Sequence, residues 1–522
     1  MNELPLQEKV ENLFQWAIDR TTNQPALENF NRVLRECQRR LHQPMRVAIV
    51  GSIKAGKSTL MNALLGEALV ATGAVEATFN VNWLRYGERP SLQVHFKDNR
   101  SPESKSFEEL TALTLRAAEN RDYLLRIKYI EVAYPNDILH TFNLIDTPGL
   151  QSFYHDDSQN TLDFLQLHGQ ELSDVTQAEA ANADAVLYLF SHSLGIEDKS
   201  IVEQFQGPAA GQTTPINAIG VLTKVDFCWS DPNVTDPLAT GNRIAQRLAA
   251  HPQVRNLFYT IYPICGLLAL GAQTLRPEEM VTLTELAQLP EARFDNLIRN
   301  QKRFCERDYA DVPVPPVKRQ QVFDRLGQYG VSLACSLIRV GVSERSQLTE
   351  KLLEQSGLNR LRDLILSHFG HRAFLIKLGT GLRQIEAVWF RERQRSQGEA
   401  WQIVDEIAGK FEALKSKEHA FQELDVLRSF YEKRLNFTGE EEKQLLEVTG
   451  EFGTACGDRL GLGERATVDE MLTVAEERMR YWQQRADDPN DDRYTIAAAK
   501  VIERSYGRIL YRVQTAKEYL SI

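Results

Sequence analysis

The chain has 522 residues, 43% hydrophobic and 25% charged, and its 61 basic against 71 acidic side chains leave a formal charge of −10. This composition is ordinary for a globular protein and excludes a largely disordered chain; the length suggests about three domains, or one large domain with an appendage. The acidity argues against a dedicated nucleic-acid binder, so no nucleic acid is expected among its partners.

Residues 1–43 read as helical. Leu6, Val10, Leu13, Phe14 and Ile18 follow helical spacing, as do Phe30, Val33, Leu34, Cys37 and Leu41, with a break at Asn23-Gln24-Pro25. From Met45 the character changes. Val47-Ala48-Ile49-Val50 is apolar and β-branched, as a buried parallel strand is, and gives way to a glycine-bounded loop. Short apolar strands recur at Val81–Arg85, Leu92–Phe96, Tyr129–Ala133, Phe142–Ile145, Ala185–Phe190 and Ile219–Leu222. Helical stretches between them predict an α/β fold, a mostly parallel sheet flanked by helices. Tyr86–Pro90 suggests a hairpin joining the strands Val81–Arg85 and Leu92–Phe96. After about Arg372 strand signals stop, and helical patterns run to a last helix at Arg493–Tyr519. The expected domains are 1–43, 44–372 and 373–522.

The chemistry sits in the first half. Gly51-Ser52-Ile53-Lys54-Ala55-Gly56-Lys57-Ser58 matches GxxxxGK[ST] between a strand and a helix beginning near Thr59. Glycines let backbone N–H groups curl around phosphates, Lys57 neutralises the β/γ oxygens, and the Ser58 hydroxyl ligates Mg²⁺. Asp146-Thr147-Pro148-Gly149 follows a strand, so Asp146 can hold Mg²⁺ through water and the Gly149 N–H can reach a γ-phosphate. Thr223-Lys224-Val225-Asp226 follows another strand, and the Asp226 carboxylate can accept two hydrogen bonds that guanine offers and adenine does not. Taken singly, the second and third are an Asp-initiated turn and a charged loop. In this order, each at a strand's carboxyl end, the three specify GTP or GDP with Mg²⁺. Thr72 and Thr78 are candidate switch threonines, Thr78 preferred as an Mg²⁺ ligand because it precedes a strand. Tyr262-Pro263-Ile264-Cys265-Gly266 is the expected last base-contacting loop, by a weak signal.

The wide intervals from Lys57 to Asp146 and from Asp146 to Thr223, with helices on both sides of the GTPase segment, resemble the dynamin superfamily. Thr72–Thr78 followed by Leu84-Arg85-Tyr86-Gly87 is similar to bacterial dynamin-like proteins, over about residues 45–270. The resemblance implies GTP hydrolysis and dimerisation through the GTPase domain, or hetero-oligomerisation with another dynamin-like chain. It also implies membrane remodelling, and helices 1–43 packed with later helices in a bundle. Departures qualify this. The roughly 150 residues after the GTPase segment allow a short stalk of four helices, each about 45 Å long. No hydrophobic paddle loop is visible, and Arg391, Arg393 and Arg395 read as a solvated face. A second reading is therefore a GTP-gated switch or scaffold that recruits a partner without acting on a membrane. A ribosome-assembly GTPase fits less well, for want of an RNA-binding module.

Cysteines are scattered without a CxxC pair, the N-terminus lacks a signal-peptide layout, and no run reaches the roughly 20 apolar residues of a membrane span. The expected location is cytoplasmic, with at most a peripheral membrane contact. Leu150 stands after Gly149 where small GTPases carry a water-orienting glutamine. Lys54 occupies the position where guanylate-binding proteins carry an arginine acting in cis, so it is the expected transition-state cation. A monovalent cation or a residue supplied in trans are the alternatives, with Lys54 then facing solvent or an acidic group.

Overall fold

The computed structural model describes residues 5–51, 54–70, 80–98, 100–114, 121–147, 183–191, 216–231, 233–251, 254, 256–395 and 398–520. The chain packs as two units, Arg46–Leu364 and Met1–Met45 together with Ile365–Ile522.

The first unit is built on a sheet whose described strands are β1 Met45–Gly51, β2 Asn82–Tyr86, β3 Ser91–Phe96, β4 Glu103–Lys105, β5 Ile127–Tyr134, β6 Phe142–Asp146, β7 Ala185–Ser191, β8 Ala218–Thr223 and β9 Ile261–Ile264. Their spatial order is β4-β3-β5-β2-β6-β1-β7-β8-β9. β1, β7, β8 and β9 run parallel, with Val47 beside Ala185, Leu187 beside Ile219 and Val221 beside Tyr262. Val47, Ala48, Ile49, Leu187, Leu189, Ile219 and Val221 are all fully buried. A strand covered on both faces has no polar side to alternate with, which is why these segments read as continuous apolar runs.

The other half of the sheet is mixed, and the expected hairpin is not there. β5 lies between β2 and β3, parallel to β2 (Leu84 beside Val132) and antiparallel to β3 (Leu92 beside Val132). The link Gly87–Pro90 crosses the end of β5 instead of closing a tight turn. Four residues reach easily across two strand spacings of about 4.8 Å each. Gly87 makes the crossing possible, since a Cβ there would lie 2.7 Å from Ala133 Cβ.

Helices follow the same logic of burial. α1 Leu6–Thr21 and α2 Glu28–Leu41 are separated by a 3₁₀ turn at Pro25–Leu27; α3 Lys57–Leu65 follows β1, and α4 Pro237–Ala249 starts on an Asp236 cap that accepts from the Ala239 N–H at 2.9 Å. After β9 the described chain is helical, so strands stop at Ile264 and the helix-only unit begins at Ile365; neither change falls at Arg372. The helices after β9 include α5 Gly266–Gln273 and α6 Pro316–Arg339 in the sheet unit, and α7 Ala373–Arg395, α8 Glu399–Lys417, α9 Val468–Ala486 and α10 Arg493–Leu520 in the other.

In the helical unit, α1 and α2 share a core with α7 and α8. Val10, Phe14, Phe30 and Leu34 pack with Leu378, Leu382, Ile385 and Phe411, and the Phe14 and Phe411 rings are 4.8 Å apart. Each such side chain contributes about 1.5–3 kcal/mol over leaving it in water. Polar ties close the edges: Lys9 Nζ meets Glu418 Oε1 at 2.8 Å, and Lys377 Nζ donates to the carbonyls of Leu41 and Gln43 at 2.6 and 2.8 Å. Among the described residues, no helix is long and apolar enough to cross a membrane.

Candidate functional site

β1 delivers the glycine-bounded loop to the carboxyl edge of the sheet. Gly51 ends the strand hard against β7, where any Cβ would lie 2.2 Å from the Leu189 carbonyl oxygen. Lys54 and Gly56 then take left-handed backbone at φ 62° and 90°. Such alternation turns successive N–H groups inward into a concavity that suits an anion. Among the described residues, a Cβ on Gly56 would meet nothing within 4 Å. Gly56 also precedes α3 with no side chain capping the first turn. The N–H groups at the start of a helix and the helix dipole favour phosphate at this place.

Lys57, the first residue of α3, is buried, and its Nζ donates to the Gly51 carbonyl at 3.2 Å. Burial pushes its pKa down to about 8, against the pull of the Asp146 carboxylate in the opposite direction. Ser58 and Thr59 follow, half-buried, in the first turn. Asp146 ends β6 fully buried, and the next residue, Thr147, donates from Oγ1 to the Ile49 carbonyl at 2.9 Å, fastening β6 to β1. Carboxylate, hydroxyl-bearing helix turn and phosphate-type loop thus converge at one edge. This donor set, hard oxygens beside an ammonium, fits a magnesium-bound nucleotide phosphate.

The loop after β8 reaches the same edge. Thr223 Oγ1 lies 2.7 Å from the Ala55 carbonyl and 3.2 Å from that of Phe190, so its proton ties β8 to the glycine-bounded loop and to β7. Lys224 has left-handed backbone at φ 58°. Burial lowers its pKa, Asp226 opposes this, and the like charge of Lys54 adds to the lowering, so the two loops share one electrostatic field. Burial raises the Asp226 pKa, with its own backbone hydrogen bond and Lys224 acting the other way.

The expected last base loop is smaller than five residues. Tyr262, Pro263 and Ile264 belong to β9, paired in parallel with Val221, Leu222 and Thr223 of β8; only Cys265 and Gly266 stand past the strand end. The Cys265 side chain is fully buried, burial pushes its thiol pKa well up, and its N–H donates to the Ser356 carbonyl at 2.9 Å. Ser52, Ile53, Thr72, Thr78, Gly149 and Leu150 lie outside the described residues. One feature near Asp226 carried no motif: the break in α6 at Gly327, whose sole sequence signal is a glycine inside a helical pattern.

Residues 47–225 match the model of the dynamin family. The isoniazid-induced protein IniC of Mycobacterium tuberculosis is 28% identical over 471 residues, covering 89% of this chain and 90% of that protein. Dynamin-like protein 2 of Campylobacter jejuni is 34% identical over 145 residues, 28% of this chain and 22% of its own length. Among solved structures, a chain of an oligomerised bacterial dynamin pair, described as sensing and tethering membranes, aligns with 98% of this chain and 91% of its own. That alignment has 15% identity and a TM-score of 0.32.

Proposed function

We propose that this chain, a bacterial dynamin-like GTPase by the match of residues 47–225 to the dynamin family, binds GTP at the loops after β1, β6 and β8 and couples hydrolysis to self-assembly. The observation that supports this reading of the cleft is the hydrogen bond from Thr223 Oγ1 to the Ala55 carbonyl, which ties the base loop to the phosphate loop.

Within it, the N–H groups of Gly51–Ser58 cradle the phosphates, and Lys57 neutralises the oxygens on either side of the scissile bond. Ser58, Asp146 and Thr78 would hold Mg²⁺, and the ion when bound offsets the negative charge of the β- and γ-phosphates. Thr59 follows the phosphate loop, Gly149 offers its N–H to the γ-phosphate, and Asp226 accepts from guanine, with Lys224 and the Cys265-Gly266 backbone beside it. Lys54, exposed on the loop, is the cation that meets charge growing on the bridging oxygen. The Leu150 side chain has no polar atom, so the attacking water is oriented by backbone or by a neighbouring GTPase domain.

Self-assembly, with a second copy or another dynamin-like chain, and contact with a membrane surface complete the proposal on the family resemblance. The test is GTP turnover per molecule across a range of protein concentrations, with and without anionic phospholipid vesicles. Activity rising with concentration is expected, and a further rise on vesicles supports membrane action. Activity per molecule that is flat under both conditions replaces this reading with a unimolecular switch.

A further inference from the structure

We infer that Gly327, at the break in α6, is a positioning residue that holds the Asp226 carboxylate in place for guanine; the inference rests on the assignment of Asp226 made above. α6 runs through 24 residues, yet Gly327 inside it has φ 72° and ψ 175°. Only glycine takes that conformation without severe strain, and a strained residue persists where its surroundings over-determine it.

Here the surroundings do so on both sides. Arg325, two residues before, donates from Nε to Glu279 Oε1 at 2.6 Å and from Nη1 to Thr274 Oγ1 at 2.7 Å. Gln328, one residue after, donates to the Ile298 carbonyl at 2.9 Å. Two further glycines let α5 and α6 approach closely. A Cβ on Gly271 would lie 2.3 Å from the Arg325 carbonyl oxygen, and one on Gly330 would lie 2.9 Å from Leu268 Cδ1. α5 is the helix that leaves Cys265-Gly266, so the break is pinned to the wall of the base loop itself.

The break faces Asp226. A Cβ at position 327 would sit 3.9 Å from Asp226 Oδ2 and 3.4 Å from Leu267 Cδ2. It also divides α6, so that a second helical run, Gln328–Arg339, begins beside that carboxylate. The positive end of a helix favours an ionised acid within its first turn. Asp226 needs this support, because its burial disfavours the charged form, and guanine recognition requires an acceptor-only carboxylate. An unbroken α6 would carry no helix start to this point.

The test is a double-mutant cycle on the full chain, read as the dissociation constant for GDP. Asp226→Ala removes the group being positioned and is expected to weaken GDP at least tenfold, about 1.4 kcal/mol. Gly327→Ala in the wild-type background is expected to weaken GDP about five- to thirtyfold, and in the Asp226→Ala background by less than about twofold. Gln328→Ala keeps the glycine and loosens only the pin to Ile298; it should give a smaller loss with the same dependence on Asp226, and it carries the test if Gly327→Ala does not fold. Equal losses in both backgrounds, or none in the wild type, overturn the inference. Wild-type GDP affinity in Asp226→Ala itself would instead overturn the assignment of Asp226.

Discussion

Burial brings the Lys57 ammonium down to about 8 from its ordinary 10.5, and the consequence is a pH dependence with a definite sign. Below about pH 8 the lysine is protonated in both folded and unfolded chains. Between there and 10.5 the unfolded chain holds a proton that the folded one has released, so the nucleotide-free unit gains stability as pH rises through this window. Phosphate in the loop restores the charged form. GDP affinity should therefore fall by up to about tenfold per unit as pH rises above 8. Calorimetry in buffers of different ionisation enthalpy should detect proton uptake on binding only in the upper range. Lys54, in left-handed backbone and exposed, answers to a different measurement. Lys54→Ala should lower kcat by at least about tenfold, roughly 1.4 kcal/mol, and wild-type turnover should not need added K⁺. An unchanged kcat assigns the charge to a residue supplied in trans.

Between elements, two glycines make opposite forecasts. Gly271 on α5 faces the Arg325 carbonyl at 2.3 Å from where its Cβ would stand, whereas a Cβ on Gly409 of α8 would meet nothing within 4 Å among the described residues. Gly271→Ala must push α5 and α6 apart and should cost about 1–3 kcal/mol. Gly409→Ala adds a better helix former in open space, beside a cavity of about 350 Å³ that Leu382, Trp389 and Phe411 help to line, and should gain about 0.5–1 kcal/mol. Thermal melts of the two variants should move in opposite directions. Most elements were legible from periodicity: the last helix, expected at Arg493–Tyr519, is Arg493–Leu520, and β8, expected at Ile219–Leu222, is Ala218–Thr223. β4 was not, because Glu103-Ser104-Lys105 is a polar edge strand with nothing apolar to mark it. β9 reads as loop in the sequence, because Pro263 argues against a strand unless the strand lies at an edge, as β9 does.

Over the whole molecule, the first 45 residues and the last 158 make one packed unit, with the sheet unit inserted between them in sequence. Phe14, Val10, Phe30 and Leu34, all within 2% of complete burial, belong to a core whose other half lies more than 330 residues away. Deleting residues 1–43 would bare the apolar faces of α7 and α8. The expected result is rapid proteolysis within 373–417, while GDP binding by the sheet unit persists. Resistance of those helices in the truncated chain would show that α7 and α8 need no N-terminal cover.

What the sequence determined by itself is what short-range chemistry encodes. The glycine-bounded loop, Asp146 and Thr223–Asp226 each stand after an apolar run, and a ligand-binding loop needs little beyond its own few residues and the strand end that presents it. The helices were legible for the same reason, since their period is a property of one segment. The tertiary structure decided what depends on a second segment distant in the chain: that β5 enters between β2 and β3, that Thr223 bonds Ala55, and that α6 breaks against Asp226. Each is a contact between surfaces whose partner carries no local mark. A strand's pattern says which face is buried but not which edge it pairs with, and a glycine inside a helix says that a bend is permitted but not what lies opposite it.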